Sequence, residues 1–192
     1  MDSKKRCQWC LGDPLYERYH DTEWGVPLRD DQSLFEFLIL ETFQAGLSWI
    51  TILRKREHFR LAFDHFDYQK IARYPESKIA SLLKNSGIVR NQLKIRATIN
   101  NAQRFIEVQK EFGSFSKYIW AFVADRPLQN QFAHQDFIPA TTPLATQISK
   151  DLKKRGFKFV GPTVIYAHMQ ATGMVNDHVV DCFRYLEVQK NS

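Results

Sequence analysis

The sequence predicts an all-α fold, and three observations support this class. Apolar residues recur at the three- and four-residue spacing of amphipathic helices, most clearly within residues 34–40, 49–63 and 91–112. Helix-start residues such as aspartate, serine and asparagine precede these segments, and glycines follow several of them. No stretch of useful length alternates apolar and polar residues as a half-buried strand does. We therefore expect a single all-α domain over residues 1–192.

The composition is that of a globular protein with a packed core. The 192 residues are 44% hydrophobic and 14% aromatic, and the net charge of +6 permits a polyanionic partner without demonstrating one. No apolar run approaches the roughly 20 residues of a membrane helix, and the start lacks the apolar core of a signal peptide. Three cysteines do not make a disulfide framework. We expect a cytoplasmic protein, or one of an equivalent reducing compartment, with no membrane partner.

The N-terminal segment combines a cysteine pair, a short helix and an aromatic-rich loop. Cys7 and Cys10 form a CxxC with no strand before it, which disfavours a redox motif and leaves a metal role in need of more ligands. Asp13-Pro14 predicts the cap and first residue of a helix that ends near His20, followed by a loop over residues 21–25. The aromatic residues here are Tyr16, Tyr19 and Trp24. They suit either the core or a pocket for a flat ligand.

Two further helices flank a turn rich in small and aromatic residues. Asp30 or Asp31 caps the first, whose wide apolar face runs to residue 40 and is followed by Glu41. A buried carboxylate there is costly unless it has a partner, so Glu41 either faces a ligand, lies at the surface or forms an internal ion pair. Ser48 precedes the next helix, Trp49 to Phe63, in which we interpret the basic run 54–56 as a solvated face.

The middle of the chain consists of helices with conventional ends. Asp67 and Ser77 cap two short helices, the second of which ends at Gly87. Residues 116–124 form a short apolar helix, and three prolines within 125–143 indicate a loop that crosses the surface.

The longest predicted helix runs from Asn91 to Phe112 and closes at Gly113. Its periodic apolar residues form one stripe, which we expect to face the core. The stripe consists of Leu93, Ile95, Ile99, Ala102, Phe105 and Ile106.

Residues 144–173 predict two helices joined by a tight turn. The first, Leu144 to Arg155, ends in basic residues, and the second begins at Pro162, which suits the first helical position. Gly161 lets the backbone approach a ligand closely, and the free N–H groups that follow form a natural phosphate site. An ordinary helix–glycine–helix connection with a solvated basic face is the alternative. Nearby lysines that would add positive charge are Lys153, Lys154 and Lys158.

A possible metal-binding pair follows the second of these helices. His178 and Cys182 are four residues apart, so they would share a face if that segment were helical. The further ligands available to them are His20 and the CxxC cysteines.

Together these residues resemble the DNA-3-methyladenine glycosylase I family over nearly the whole chain. No single motif is specific, whereas the set is. The matching stretches are Asp13-Pro-Leu-Tyr16, Tyr19-His-Asp21, Glu23-Trp-Gly-Val-Pro27, Gln44-Ala-Gly-Leu-Ser-Trp49, Gly87-Ile88 with Arg90 and Lys94, Lys153-Lys-Arg-Gly-Phe157, Phe159-Val-Gly161 and Val175-Asn-Asp-His178.

The resemblance implies a two-lobed helix-hairpin-helix glycosylase with the hairpin motif at about 144–173. It implies a monomeric, monofunctional enzyme that hydrolyses the N-glycosidic bond of 3-methyladenine in double-stranded alkylated DNA without cutting the strand. Glu41 would be the catalytic carboxylate of a base pocket. The other pocket residues would be Tyr16, Tyr19, Trp24 and Trp49. Phosphates of the target strand would be bound by Lys153, Lys154, Lys158 and the backbone at Gly161 and Thr163.

The resemblance also implies a structural Zn²⁺ that joins the N- and C-terminal segments. Its ligands would be Cys7, His20, His178 and Cys182. Cys10 is an additional thiol beside this set and is an alternative ligand. Thr42 stands where the family commonly has glycine, which predicts a narrower pocket or a shifted Glu41. Asn176 falls at the position of a catalytic aspartate in the wider superfamily, and we do not assign that role to Asp177.

Three other classes of protein remain to be weighed against this interpretation. A non-enzymatic, zinc-stapled helix-hairpin-helix DNA-binding module has no need of a Trp/Tyr/Glu cluster. A zinc hydrolase needs an open metal position, whereas two cysteines and two histidines close a tetrahedral site. A bifunctional glycosylase and lyase needs an amine nucleophile, and no lysine follows the hairpin at a diagnostic position.

Overall fold

Helices make up most of residues 4–190, the part of the chain that the computed structural model describes. The α-helices in this part are α1 (Pro14–Thr22), α2 (Asp31–Gln44), α3 (Trp49–Ala62), α4 (Tyr68–Ile71), α5 (Glu76–Lys84), α6 (Gln92–Phe112), α7 (Phe115–Trp120), α8 (Pro143–Lys154), α9 (Pro162–Ala171) and α10 (Phe183–Lys190). Short 3₁₀ turns occur at Gln8–Cys10, Asp64–Phe66, Ala121–Val123 and Gln135–Phe137. None of the helices in this range is long and apolar enough to cross a bilayer.

One short exception to the helical pattern joins two distant segments. β1 (Leu128–Gln129) pairs in parallel with β2 (Val175–Asn176), with Leu128 opposite Val175. Two residues a strand are too few to produce a detectable alternation in the sequence. The pairing draws the 125–143 segment against the end of α9, which matters for the site described below.

Three predicted helix caps are confirmed by side-chain oxygens that accept from free backbone N–H groups. These are Asp13, Asp30 and Asp67. Asn91, predicted as the first residue of its helix, is also such a cap. Each such cap stabilises its helix by about 1 kcal/mol, because the donors of the first turn have no partner within the helix. Ser48 precedes α3 as predicted, but its hydroxyl pairs with the Thr51 hydroxyl and caps no backbone group.

Several predicted helix boundaries are wrong by a few residues. α5 begins after Pro75, whose extended backbone already occupies the cap position, and not at Ser77. It also ends before the predicted Gly87, since the chain becomes extended after the helix. α7 is capped by Ser114, so the predicted start at Ser116 lies inside the helix.

α2 is the central helix of the core. Every residue from Leu34 to Phe43 is buried, so the helix is covered on all sides and not only on the one face that we predicted. It contacts α3, α6, α7 and α9. A continuous apolar cluster extends from this helix to Cys7 at one end of the chain and Cys182 at the other. The helix that carries Glu41 is therefore held in the middle of the protein.

Two predictions about single side chains are corrected by the packing. Leu93 belongs to the predicted core stripe of α6 but is 69% exposed, whereas the neighbouring Lys94 and Ile95 are buried. Arg56 lies in the run interpreted as a solvated face, yet it is buried. Its Nε donates to Glu36 at 2.6 Å and its Nη1 donates to Glu23 at 2.5 Å. A buried acid on α2 thus fixes a buried base on α3.

Candidate functional site

A cavity of about 420 Å³ lies between α1, α9 and the turn that joins α2 to α3. All five residues predicted for the base pocket line it: Tyr16, Tyr19, Trp24, Glu41 and Trp49. Trp9, Gln44, Thr163, Tyr166 and Gln170 also line the cavity, and residues 135–140 form one wall. The 125–143 segment therefore contributes to the site and does not merely cross the surface, as its prolines had suggested.

Glu41 is a buried carboxylate without a partner. It lies in the last turn of α2 and is 4% exposed, and its Oε2 accepts no hydrogen bond. Burial raises its pKa to about 8. The predicted alternatives of a surface position and an internal ion pair are therefore wrong within the described chain. Two more buried polar atoms of the cavity, Trp49 Nε1 and Gln135 Oε1, also lack partners. Such groups are rare in folded proteins, and together they indicate a ligand site.

Aromatic rings form the walls on both sides of Glu41. The Trp9 ring lies 4.8 Å from the Tyr16 ring and 5.0 Å from the Trp24 ring between centroids, in both cases edge to face. Tyr19 and Trp49 are 5.6 Å apart. Trp9 was not predicted as a pocket residue. Only the packing of the Gln8–Cys10 turn against α1 brings its ring to the cavity. The walls are suited to a flat ring, and their π faces favour positive charge.

α1 contributes to two sites at once. Tyr16, Tyr19 and His20 are three and four residues apart, so they share one side of the helix. The tyrosines reach the cavity, and His20 reaches the cysteines and histidine described below. Burial, with smaller contributions from Cys10 and Glu41, raises the pKa of Tyr16 to about 12. Its hydroxyl therefore remains a donor at neutral pH.

A second buried carboxylate, Asp177, lies behind the α9 wall of the cavity. Its Oδ2 accepts from the Tyr166 hydroxyl at 2.5 Å and from Gln170 Nε2 at 2.8 Å. Its Oδ1 accepts from Asn130 Nδ2 at 2.6 Å, a contact that the β1–β2 pairing makes possible. Because Nε2 of Gln170 is engaged, the oxygen is the free end of that amide. Asp177 thus orients two cavity residues. No spacing pattern among these residues predicted this network.

Asn176, which the resemblance places at the position of a catalytic aspartate, has a structural role. Its Nδ2 donates to Gln129 Oε1 at 2.8 Å and to the Tyr185 carbonyl at 3.1 Å, and the residue is fully buried. It does not line the cavity. Neither Asn176 nor Asp177, whose oxygens already accept three hydrogen bonds, is free to contact a ligand.

The turn after Glu41 is fixed by a lysine from α6. Lys94 is buried, and its Nζ donates to the carbonyls of Phe43 and Ala45 at 3.0 and 2.8 Å. A cation at a helix C-terminus satisfies carbonyls and the helix dipole together. Thr42 does not narrow the cavity as predicted. Its hydroxyl donates to the Leu38 carbonyl one turn back in the same helix, and the residue is absent from the cavity lining.

Beside the cavity, the four predicted metal ligands come together. The candidate ligand atoms of Cys7, His20, His178 and Cys182 all lie within 4.8 Å of one another, and all four residues are buried. Cys182 Sγ lies 3.5 Å from His20 Nε2 and 3.7 Å from His178 Nδ1, and Cys7 Sγ lies 3.8 Å from His178 Nδ1. A tetrahedral zinc ion separates its sulfur and nitrogen ligands by roughly 3.3–3.8 Å. These three sulfur–nitrogen distances fit such an ion.

Outer contacts orient both histidines of this cluster. His20 Nδ1 lies 2.8 Å from Asp21 Oδ1, and Arg6 holds that carboxylate. His178 Nε2 lies 3.1 Å from the Trp24 carbonyl. These partners leave the inward nitrogens free to bind a metal, which is the usual second layer of a zinc site. Hydrogen bonding with Cys7 and the two histidines lowers the pKa of the Cys182 thiol, so a thiolate is available at this position.

The structure differs from the predicted metal site in one respect and excludes one thiol from the cluster. The four-residue spacing of His178 and Cys182 predicted a shared helix face, but neither residue lies on a helix. They lie in a turn before α10, where the Cys182 N–H donates to the Val179 carbonyl at 2.8 Å. Cys10, the alternative ligand, lies outside the cluster of four and directs its thiol to the Cys7 carbonyl at 3.1 Å.

The loop after α1 is pressed against this cluster. Gly25 has φ +79, and a Cβ there would lie 3.0 Å from the His178 ring. Its N–H donates to the Gln170 carbonyl at 3.1 Å. Trp24 in the same loop packs its ring edge to face against His178, with centroids 4.6 Å apart. The wall of the cavity and the cluster are therefore one packed unit.

The turn between α8 and α9 presents the predicted phosphate-binding groups. Lys153, Lys154 and Lys158 are exposed, and Gly161 is the cap residue of α9. Asn101 of α6 holds the turn, because its side chain accepts from the Lys158 N–H at 2.8 Å and donates to the Lys158 carbonyl at 2.9 Å. A Cβ built at Gly161 would meet nothing within 4 Å. Thr163, predicted only as a backbone contact, also lines the cavity.

Comparison with known proteins was consistent across sequence and structure. Residues 9–185 match the methyladenine glycosylase family. The DNA-3-methyladenine glycosylase 1 of Escherichia coli is 47% identical over 181 residues, which cover 94% of this chain and 97% of that protein. The DNA-3-methyladenine glycosylase of Haemophilus influenzae is 45% identical over 177 residues, which cover 92% of this chain and 96% of that protein.

Solved structures give the same picture of the fold. A crystal structure of 3-methyladenine DNA glycosylase I has a TM-score of 0.91 at 49% identity, covering 93% of this chain and 98% of that chain. The Staphylococcus aureus 3-methyladenine DNA glycosylase I, solved to explain 3-methyladenine recognition, has a TM-score of 0.90 at 39% identity. That match covers 93% of this chain and 95% of the other.

Proposed function

This chain belongs to the methyladenine glycosylase family, and from that premise we propose that it is a 3-methyladenine DNA glycosylase of base excision repair. It hydrolyses the N-glycosidic bond of 3-methyladenine in alkylated double-stranded DNA, as a monofunctional, monomeric enzyme of the cytoplasm. The cavity supports an enzyme over a mere DNA-binding module, because a binder needs no aromatic-lined cavity with an unpaired buried acid. The observation that carries the proposal is the partnerless Oε2 of Glu41 in that cavity.

The chemistry of the lesion explains why the site needs little catalytic machinery. Methylation at the N3 atom gives adenine a positive charge. When the bond from the sugar to the base breaks, its electron pair moves to the base, which leaves as a neutral purine. Water supplies the oxygen that bonds to the sugar carbon and loses a proton. Strong general-acid help is therefore unnecessary, and the task is to extrude and select the base.

The residues of the cavity divide that task between them. The rings of Trp24, Tyr19 and Trp49 surround the extruded base, and their faces favour the cation over normal adenine. The raised pKa of about 8 keeps Glu41 protonated in the free protein, and it loses this proton when the cationic base binds. The carboxylate then accepts a hydrogen bond from the exocyclic amine and stabilises positive charge in the transition state. The free oxygen of Gln170, held by Asp177, adds a second acceptor. A pocket of acceptors selects a ligand that carries donors and charge.

The decisive experiment is incubation with methylated duplex DNA, followed by chromatography of the released bases. We expect free 3-methyladenine and intact strands containing abasic sites. Release of no 3-methyladenine would overturn the enzyme proposal and favour the DNA-binding module. Strand breaks that form without heat or alkali would contradict a monofunctional enzyme.

We also propose that Cys7, His20, His178 and Cys182 hold one structural zinc ion. The distances within this cluster and the outer contacts of both histidines support the proposal. Two thiolates and two imidazoles fill a tetrahedron, so the ion would bind no water and would stabilise the fold without taking part in the reaction. The cluster would then fix His20 on α1 and the Trp24 wall of the cavity.

We propose in addition that the α8–α9 turn acts as a helix-hairpin-helix element and binds phosphates of the damaged strand. The free N–H groups at the start of α9 and the exposed lysines beside them support this role. Such contacts are electrostatic, so affinity should fall steeply with salt.

Gly161→Ala tests the backbone contact directly. An alanine there clashes with nothing in the protein and fits the observed φ of −63, so folding should be unaffected. We expect duplex affinity to fall roughly tenfold, because the added methyl group displaces the phosphate. Lys154→Ala should lower both the affinity and its salt dependence. Wild-type affinity in both variants would show that the turn is only a packing element.

A further inference from the structure

The turn between α8 and α9 carries an aromatic side chain that the core does not enclose. Phe159 is 42% exposed and has φ +56, in the left-handed region. A bulky residue is strained in that conformation, whereas glycine is not. Phe159 therefore strains the backbone while its ring stays partly in water. Residues held in such a conformation cluster at functional sites, and the ring of Phe159 is also exposed.

Phe159 borders an apolar groove of about 400 Å³ between this turn and the start of α6. We call it the hairpin groove; its lining is Leu93, Arg96, Ala97, Asn100, Lys158 and Phe159. Leu93, at 69% exposure, is the residue that the sequence placed in the core stripe of α6 and that the structure leaves uncovered. Two large apolar side chains are thus partly exposed in one groove.

The charges around the hairpin groove indicate what covers it. No carboxylate lines it, and Lys158 makes no ion pair within the described residues. Arg96 pairs with Glu76, and both side chains of that pair are well exposed. Lys153 and Lys154 lie exposed close by. Cations beside apolar surface match a sugar–phosphate strand, whose phosphates need positive charge and whose deoxyribose rings offer apolar faces.

We propose that the hairpin groove binds the sugar–phosphate backbone of duplex DNA beside the damaged nucleotide, with Phe159 and Leu93 in contact with deoxyribose. The inference rests on the proposed function and extends its DNA-contacting surface beyond the lysines and the start of α9. Phe159 lies two residues before Gly161, about 7 Å at most along the chain. The groove and the proposed phosphate site therefore serve one continuous strand.

The test compares Phe159→Gly and Leu93→Ser with Leu61→Ser as the matched control. Leu61 on α3 is also 69% exposed but does not line the groove. Affinity for undamaged duplex DNA is measured at several salt concentrations, alongside affinity for free 3-methyladenine and the melting temperature. We expect Phe159→Gly and Leu93→Ser to weaken DNA binding roughly three- to tenfold through lost apolar contact. Leu61→Ser should bind DNA as the wild type does.

Three readouts separate this proposal from damage to the fold and from the charge contacts. The salt dependence should keep its slope in Phe159→Gly, whereas Lys158→Ala should lower it by about one unit. Phe159→Gly should melt no lower than the wild type, since glycine relieves the backbone strain. Affinity for the free base should not change in either groove variant.

Wild-type DNA affinity in both Phe159→Gly and Leu93→Ser would overturn the proposal, as would an equal loss in Leu61→Ser. If Phe159→Gly folds poorly, Leu93→Ser decides the matter, because that side chain lies almost wholly outside the core. Failure of the wild type to release 3-methyladenine would overturn the proposed function instead. The affinities of the variants would still decide whether DNA occupies the groove.

Discussion

At the scale of single residues, the site is built from groups that the folded protein would be more stable without. Glu41 is buried with a free carboxylate oxygen, and Trp49 and Gln135 each leave a buried polar atom unpaired. Unsatisfied groups of this kind cost about 1–3 kcal/mol each. Residues that lower stability in the free protein are expected where a ligand supplies the missing partners.

Glu41→Gln should separate the proposed catalytic role of this residue from the loss of folding stability that its burial causes. We expect release of 3-methyladenine to fall by roughly 10–100-fold, because a neutral amide loses the charge-assisted hydrogen bond to the base. The loss should be partial, since the lesion is already a good leaving group. Nonspecific DNA affinity and metal content should match the wild type. Unchanged release and unchanged affinity for the free base would remove Glu41 from the site.

The same variant should be more stable than the wild type at high pH. The pKa of Glu41 is raised from 4.5 to about 8 in the folded protein, so the folded state keeps a proton that the unfolded chain loses. Stability due to this group is therefore present below pH 4.5 and declines as the pH rises to about 8. Glu41→Gln removes that decline. Between pH 5 and pH 8.5, the free energy of unfolding of Glu41→Gln in urea should rise by roughly 2–4 kcal/mol relative to that of the wild type.

The buried imidazole of His168 should lower the free energy of unfolding as the pH falls, whereas Glu41 lowers it as the pH rises. It is buried in α9, both ring nitrogens lack partners, and burial lowers its pKa from 6.5 to about 4. Between pH 6.5 and pH 4, the His168 imidazole binds a proton in the unfolded chain but not in the folded protein. Stability is therefore full above pH 6.5 and declines toward pH 4. His168→Phe should remove about 2–3 kcal/mol of that decline. Both proteins keep the cysteine–histidine cluster, so the difference between their pH profiles isolates His168.

At the scale of elements, side-chain caps predicted helix starts more accurately than apolar periodicity predicted burial. Side-chain caps located the starts of α1, α2 and α4, because an oxygen that accepts from the first turn acts within a few residues. The apolar stripe of α6 misplaced Leu93, since periodicity states which residues share a face but not how far the neighbouring elements extend. The β1–β2 pairing was beyond prediction, because contacts between residues some fifty positions apart leave no local signal.

α9 offers a test of how an element shapes the cavity from behind. Asp177→Asn puts an amide donor among three donors, so at least one of Tyr166, Gln170 and Asn130 loses its acceptor. We expect stability to fall by about 2 kcal/mol and affinity for free 3-methyladenine to fall roughly fivefold, measured where the protein is fully folded.

Asn130→Ala is the matched control for that variant. It removes one contact to Asp177 from a residue that does not line the cavity. It should lower stability while leaving affinity for the base near that of the wild type. If both variants lowered base affinity equally, the effect would be general loosening and not the orientation of Gln170 and Tyr166.

At the scale of the whole molecule, the chain brings its two ends to one place. The ligand atoms of Cys7 and His20 meet those of His178 and Cys182 within 4.8 Å, and the unit also supports Trp24 in the cavity wall. Most of this site was predictable, because the resemblance to a family carried distant residues into one set. Trp9, Gln135 and the Asp177 network were not, because their roles depend on three-dimensional contacts that leave no spacing pattern.

Cys7→Ser and Cys10→Ser form a matched pair for the proposed zinc site. The two cysteines are three residues apart and equally buried, but only Cys7 belongs to the cluster. We expect elemental analysis to find one zinc in the wild type and in Cys10→Ser, and little in Cys7→Ser. Cys7→Ser should melt at a clearly lower temperature, since the binding energy of the metal contributes to folding. A metal-free wild type with full stability and activity would overturn the zinc proposal.

During synthesis, the two halves of this cluster leave the ribosome at very different times. Cys7 and His20 emerge near the beginning, but the set is complete only once Cys182 is free, when nearly the whole chain has been made. Until then the Trp24 wall lacks the His178 ring and carbonyl contact that support it. A chain that ends just before Cys182 already includes the α8–α9 turn and the residues that line the cavity, but not the complete cluster. The support that the cluster gives to the Trp24 wall is therefore among the last contacts that the growing chain can form.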